Sequence, residues 1–132
     1  MTGGLSHLTY IVRDLGRMER LLVVLFEARK VYDSGEAGFS LAPERFYLIG
    51  DLWIAIMQGE PTARSYNHTA FKIEDSAYEA YHMRLLALGV EIKEGRPRVA
   101  GEGRSLYFYD YDNHLFELHT GTLEERLARY RA

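Results

Sequence analysis

Apolar and polar residues alternate with two different periods along this 132-residue chain, and the switches between them mark out its elements. Residues 5–12, LSHLTYIV, keep the period of two that sends successive side chains to opposite faces of a strand. Asp14 then stands as an N-cap before LGRMERLLVVLFEA (15–28), whose apolar residues recur at helical spacing. Three short strand-like runs follow, KVYDS (30–34), RFYLIG (45–50) and LWIAIMQG (52–59), separated by Gly, Asp and Pro.

From Tyr66 the order begins again. YNHTAFKI (66–73) reads as a strand, Asp75 as a cap, and SAYEAYHMRLLALG (76–89) as a helix stopped by Gly89. VEIKE (90–94), SLYFYD (105–110) and LFELHTG (115–121) read as strands, and TLEERLARY (122–130) opens with Thr122 and Glu125 spaced as a capping box. Laying one half over the other pairs His7 with His68, and setting Gly59 against Gly121 pairs Ala55 with Glu117. The pattern predicts an α+β protein of two tandem βαβββ modules, about 4–60 and 65–121, with a C-terminal helix over 122–131.

Composition narrows the chemistry. A chain of this length forms one domain or two small fused halves. With no cysteine, disulfides, thiolate metal sites and a cysteine nucleophile are excluded, so any metal is bound by nitrogen and oxygen. A net charge of −3 argues against nucleic acid as a partner. No apolar run approaches the roughly 20 residues of a membrane span and no secretory signal is visible, so a cytoplasmic protein is expected.

Period two also decides which side chains share a face: His7 with Thr9 and Ile11, His68 with Ala70 and Lys72, and Glu117 with Leu115 and His119. If both sheets turn those faces to a common cleft, two histidines and one glutamate meet, and the fourth quasi-symmetric corner is Ala55, which cannot ligate. Two imidazoles and a carboxylate suit Mn, Fe, Ni or Zn and leave coordination positions for a substrate, which points to Lewis-acid catalysis rather than a structural metal. A glutamate in an otherwise apolar strand is costly to bury alone, and a metal ion offsets that cost.

LSHLTYIV, YNHTAFKI and the long run RPRVAGEGRSLYFYDYDNHLFELHTGTLEERL together resemble the vicinal oxygen chelate superfamily and, within it, the fosfomycin resistance proteins, over essentially the whole chain. The resemblance implies a divalent metal, usually Mn(II), held by His7, His68 and Glu117. The implied substrate is fosfomycin, an epoxide carrying a phosphonate. Glu44, within FSLAPERFYLIG, stands where the hydrolytic type carries its general base, which implies attack by water at the ring carbon bearing the phosphonate and a vicinal diol as product. The alternative is transfer of a thiol, glutathione or bacillithiol, to the same ring.

The same resemblance assigns Arg126 to the phosphonate, Ser105 and Tyr107 to hydroxyl donors on it, and Thr9 to the substrate or its ring oxygen. Tyr66 would wall the pocket, and Arg96 or Arg98 would supply one more cation. Gly101 and Arg104 replace the serine and acidic residue of a potassium-binding loop in thiol-transferring relatives, so potassium dependence is not expected. Relatives exchange their halves between subunits, which implies a domain-swapped homodimer with His7 from one chain and His68 and Glu117 from the other.

Overall fold

A computed structural model describes residues 1–36, 41–93 and 103–132. It divides the chain into two units, Met1–Ala63 and Arg64–Ala132. The first holds β1 (His7–Val12), α1 (Leu15–Phe26), β2 (Arg29–Asp33), β3 (Glu44–Ile49) and β4 (Leu52–Gln58). The second holds β5 (His68–Lys72), α2 (Tyr78–Leu88), β6 (Glu91–Lys93), β7 (Ser105–Tyr109), β8 (Leu115–His119) and α3 (Leu123–Tyr130). The chain is α+β, with tandem βαβββ modules as its sequence pattern predicts.

Each unit is one four-stranded sheet, in the order β1-β4-β3-β2 or β5-β8-β7-β6. Three strands of each sheet pair antiparallel, while β1 on β4 and β5 on β8 run parallel. A helix and two strands intervene between the parallel partners, which supplies the long connection that parallel neighbours need.

The registers reproduce the internal repeat. His7 lies opposite Trp53 and Thr9 opposite Ala55; in the second sheet His68 lies opposite Leu115 and Ala70 opposite Glu117. On the other flank Glu44 pairs with Met57, and its repeat position Ser105 pairs with His119. The alignment of Gly59 with Gly121 thus holds for all of these positions.

α1 starts at the expected cap, where the Asp14 carboxylate accepts from the Arg17 backbone N–H at 3.0 Å. It ends two residues earlier than its apolar run, because Glu27 turns left-handed at φ 55° and its N–H closes onto Leu22 and Val23. The second helix departs further from expectation. Asp75 makes no cap; residues Asp75–Ala77 form a 3₁₀ turn, and the Asp75 carboxylate accepts from Arg104 Nε at 3.0 Å instead. Gly89, at φ 68°, ends α2 as its position predicts.

α1 buries Met18, Leu21, Leu22 and Leu25 beside Val12, Tyr47, Ile54 and Ile56. The Tyr47 phenol donates to Glu19 at 2.6 Å, and Lys30 reaches the same carboxylate at 3.0 Å, tying α1 to β2 and β3. In the second unit Leu85 and Leu88 of α2 join Leu106, Phe108, Phe116 and Leu118 in the buried set, with Phe108 and Phe116 stacked at 5.4 Å. Leu21 is fully buried, so Leu21→Ala is expected to cost about 2–5 kcal/mol, read as a fall in the urea midpoint.

Candidate metal and substrate site

In the second unit β5 and β8 bring two candidate ligands together. His68 Nε2 stands 3.1 Å from Glu117 Oε1, across one diagonal of the parallel pair. The other ring nitrogen, Nδ1, lies 2.8 Å from the Tyr66 carbonyl. A carbonyl only accepts, so Nδ1 carries the proton and Nε2 presents its lone pair to the carboxylate. Two lone-pair atoms this close call for a positive charge between them, either a proton or a metal ion. The donor set therefore fits a divalent cation.

Glu117 is buried, with 6% of its side chain exposed. Burial raises its carboxyl pKa, but hydrogen bonds from Ser105 and Tyr107 and the nearby His119 and His68 together hold it below the ordinary carboxylate value. Burial, with hydrogen bonding to Tyr66 and the Glu117 charge, drives the Tyr107 phenol up, so it stays protonated as a donor. Ser105 Oγ donates to Glu117 Oε2 at 2.6 Å. It stands 2.8 Å from His119 Nδ1, while Arg126 Nη2 approaches His119 Nε2 at 3.4 Å.

A cavity of about 310 Å³ opens over this cluster, lined by His68, Ala70, Glu117, His119, Leu123 and Arg126 among others. One lining residue, Gly121, is closely packed by a second glycine. Gly103 has φ +79°, and a Cβ there would meet the Gly121 nitrogen at 2.6 Å, so the chain passes the end of β8 only without a side chain. Arg126 reaches the cavity from α3, whose Thr122 cap accepts from the Glu125 N–H at 3.1 Å, as the capping-box spacing predicts. A smaller cavity of about 140 Å³ lies between Tyr66, Lys93, Tyr107, Tyr109 and Leu115.

The first unit carries the remaining candidates on one sheet face. His7, Thr9 and Ile11 of β1, Trp53, Ala55 and Met57 of β4, and Glu44, Phe46 and Leu48 of β3 form three cross-strand rows. His7 and Thr9 are exposed. The His7 ring stacks on Trp53 at 4.1 Å, and Ser6 Oγ lies 2.9 Å from its Nδ1, leaving Nε2 for a ligand. Glu44 opens β3 with only 9% of its surface exposed, held at the backbone by Ser34, whose Oγ accepts from its N–H at 2.9 Å. Its carboxylate has no hydrogen-bond or ion-pair partner among the described residues.

The structure thus joins His68, Glu117, Ser105, Tyr107, Tyr66 and Arg126 within one unit, and His7, Thr9 and Glu44 within the other. Arg96, Arg98 and Gly101 lie outside the described residues. Two features escaped the sequence: the bond from Arg126 to His119, and the stacking of His7 on Trp53. The two-residue spacing of Glu117 and His119 puts both on one face and points to a hydrogen-bonding role for His119 rather than ligation, but it does not name the partners.

The chain belongs to the Glyoxalase/Bleomycin resistance protein/Dioxygenase superfamily, whose family model matches residues 4–118. Its likeness within that superfamily is to the FosX type. A fosfomycin resistance protein FosX of Mesorhizobium japonicum is 62% identical over 98% of this chain and 94% of that protein. A FosX variant from Listeria monocytogenes, crystallised with Mn(II) and 1S,2S-dihydroxypropylphosphonic acid, matches with TM-score 0.89 and 53% identity over 98% of this chain and 99% of that one. A metallothiol transferase FosB of Shouchella clausii is more distant, at 38% identity over 98% of this chain and 88% of that protein.

Proposed function

We propose that this chain hydrolyses the epoxide ring of fosfomycin with water, using Mn(II) held by His7, His68 and Glu117, and so confers resistance to the antibiotic. The observation that carries the reading is the 3.1 Å approach of His68 Nε2 to Glu117 Oε1, with Nδ1 already committed to a carbonyl. Bound there, the metal supplies Lewis acidity at the ring oxygen. The FosX relative crystallised with Mn(II) and a dihydroxypropylphosphonic acid supports the same metal and product class.

The protein's own part is a base, an anion site and a shaped cavity. Water is a poor nucleophile, and Glu44 takes its proton as the new carbon–oxygen bond forms and the ring bond breaks. The released ring oxygen then takes a proton from solvent, giving the vicinal diol. The Arg126 guanidinium, donor-only and planar, holds two phosphonate oxygens in bidentate fashion. The Thr9 hydroxyl adds a polar contact, with Tyr66 as a wall and Arg96 or Arg98 as a second cation, while the Tyr107 phenol gives its proton to Glu117.

The repeat supports Glu44 in this role. Its counterpart Ser105 reaches the carboxylate of Glu117, while the position matching Glu117 beside Glu44 is the short Ala55. The longer acidic side chain thus shares a sheet face with Ala55, the corner that supplies no ligand. The active unit is a domain-swapped homodimer in which His7 of one chain completes the pair on the other. Cytoplasmic location is part of the same reading; among the described residues no helix is long and apolar enough to cross a membrane.

Phosphorus NMR tests the proposal. Fosfomycin incubated with the protein and Mn(II), without thiol, is expected to give the diol phosphonate resonance catalytically, and adding glutathione or bacillithiol is expected to leave the rate unchanged. Loss of the drug only when a thiol is present would assign the chain to thiol transfer instead.

A further inference from the structure

We propose that His119 is a positioning residue that relays a one-way chain of hydrogen bonds from Arg126, through Ser105, to the Glu117 carboxylate. It rests on the reading of Glu117 as a metal ligand. The direction of the chain follows from its ends: a guanidinium has only donors and an ionised carboxylate only acceptors. Arg126 Nη2–H therefore donates to His119 Nε2 at 3.4 Å, which leaves Nδ1 as the protonated nitrogen. Nδ1–H donates to Ser105 Oγ at 2.8 Å, and Ser105 Oγ–H donates to Glu117 Oε2 at 2.6 Å.

Two consequences follow from that order. The Ser105 hydroxyl spends its proton on Glu117 and has none for a phosphonate oxygen, so it orients the ligand rather than the substrate. Oε2 is fixed by Ser105, which leaves Oε1, on the His68 side, as the oxygen facing an ion. Without His119 the Ser105 hydroxyl is free to rotate, and the carboxylate loses one of the two hydroxyl donors, Ser105 and Tyr107, that orient it. Outer hydrogen bonds of this kind are worth roughly 10–100-fold in metal affinity.

The test is Mn(II) affinity of the full chain without substrate, read as free Mn(II) by electron paramagnetic resonance. His119→Phe keeps the ring and removes both nitrogens, and is expected to weaken binding about 10–100-fold. His119→Asn places an N–H near the Nδ1 position and is expected to restore most of the loss, a rescue that mere packing would not give. Ser105→Ala is expected to match His119→Phe, and the double variant to be no worse than either single one, since both break the same chain.

Unchanged affinity in His119→Phe, an Asn variant no better than Phe, or additive losses in the double variant would each overturn the relay. Glu117→Gln run alongside separates the two ideas. If it too binds Mn(II) normally, the metal reading fails; if only it loses the ion, the relay alone fails.

Discussion

Glu44→Gln is expected to lower the turnover of fosfomycin by about 10²-fold or more while Mn(II) affinity and KM stay near those of the parent protein. The amide has the size of the carboxylate but cannot take a proton from water. Glu44 is suited to the exchange because its carboxylate is not engaged by any described neighbour, so the substitution breaks no hydrogen bond or ion pair among them. Its backbone is independently fixed, with Ser34 N donating to its carbonyl at 3.0 Å and Ser34 Oγ accepting from its N–H. Glu44→Asp keeps the base and withdraws it by one methylene, and should fall between the two. Phosphorus NMR gives the rates, and a kcat for Glu44→Gln equal to that of the parent removes Glu44 from the proton transfer.

What the sequence discloses and what it hides follow from the range of the forces involved. Period-two alternation fixes which side of a strand a residue occupies, so His7 with Thr9, and Glu117 with His119, are legible from spacing alone. The repeat offset is equally legible, because Gly59 and Gly121 end equivalent strands and the registers between them are locked by pairing. Asp75 shows where local reasoning fails. Its position favours a cap, but Arg104, distant in sequence, also stacks on Tyr78 at 3.9 Å and holds the carboxylate at 3.0 Å, which outcompetes a backbone N–H. Glu27 fails for a similar reason: the apolar run continues through Ala28, yet the chain must leave the helix to enter β2 at Arg29. The relay through His119 is invisible to spacing because it depends on which nitrogen faces which oxygen, a matter of rotamers and tautomers rather than residue order.

Glu117→Gln is expected to separate metal binding from folding. In the parent protein the carboxylate Oε1 stands 3.1 Å from the His68 Nε2 lone pair, an approach that calls for a cation between them. Glutamine solves that problem without one: its amide oxygen accepts from Ser105 where Oε2 did, and its NH₂ donates to Nε2. Mn(II) affinity should therefore fall by more than the roughly 10–100-fold that loss of an outer partner costs, while the metal-free thermal midpoint is kept or raised. Acid sensitivity gives a second readout. Glu117 titrates below its ordinary 4.5 when folded, so its ionised form stabilises the fold above that value, and the contribution fades as pH drops through the lowered folded pKa. The glutamine variant lacks this dependence and should lose less stability than the parent between about pH 4.5 and lower values. Binding is followed by the fluorescence of the single tryptophan, Trp53, which stacks on His7 and should be quenched by paramagnetic Mn(II) in the parent protein. Quenching that persists unchanged in Glu117→Gln would show that the ion does not depend on this carboxylate.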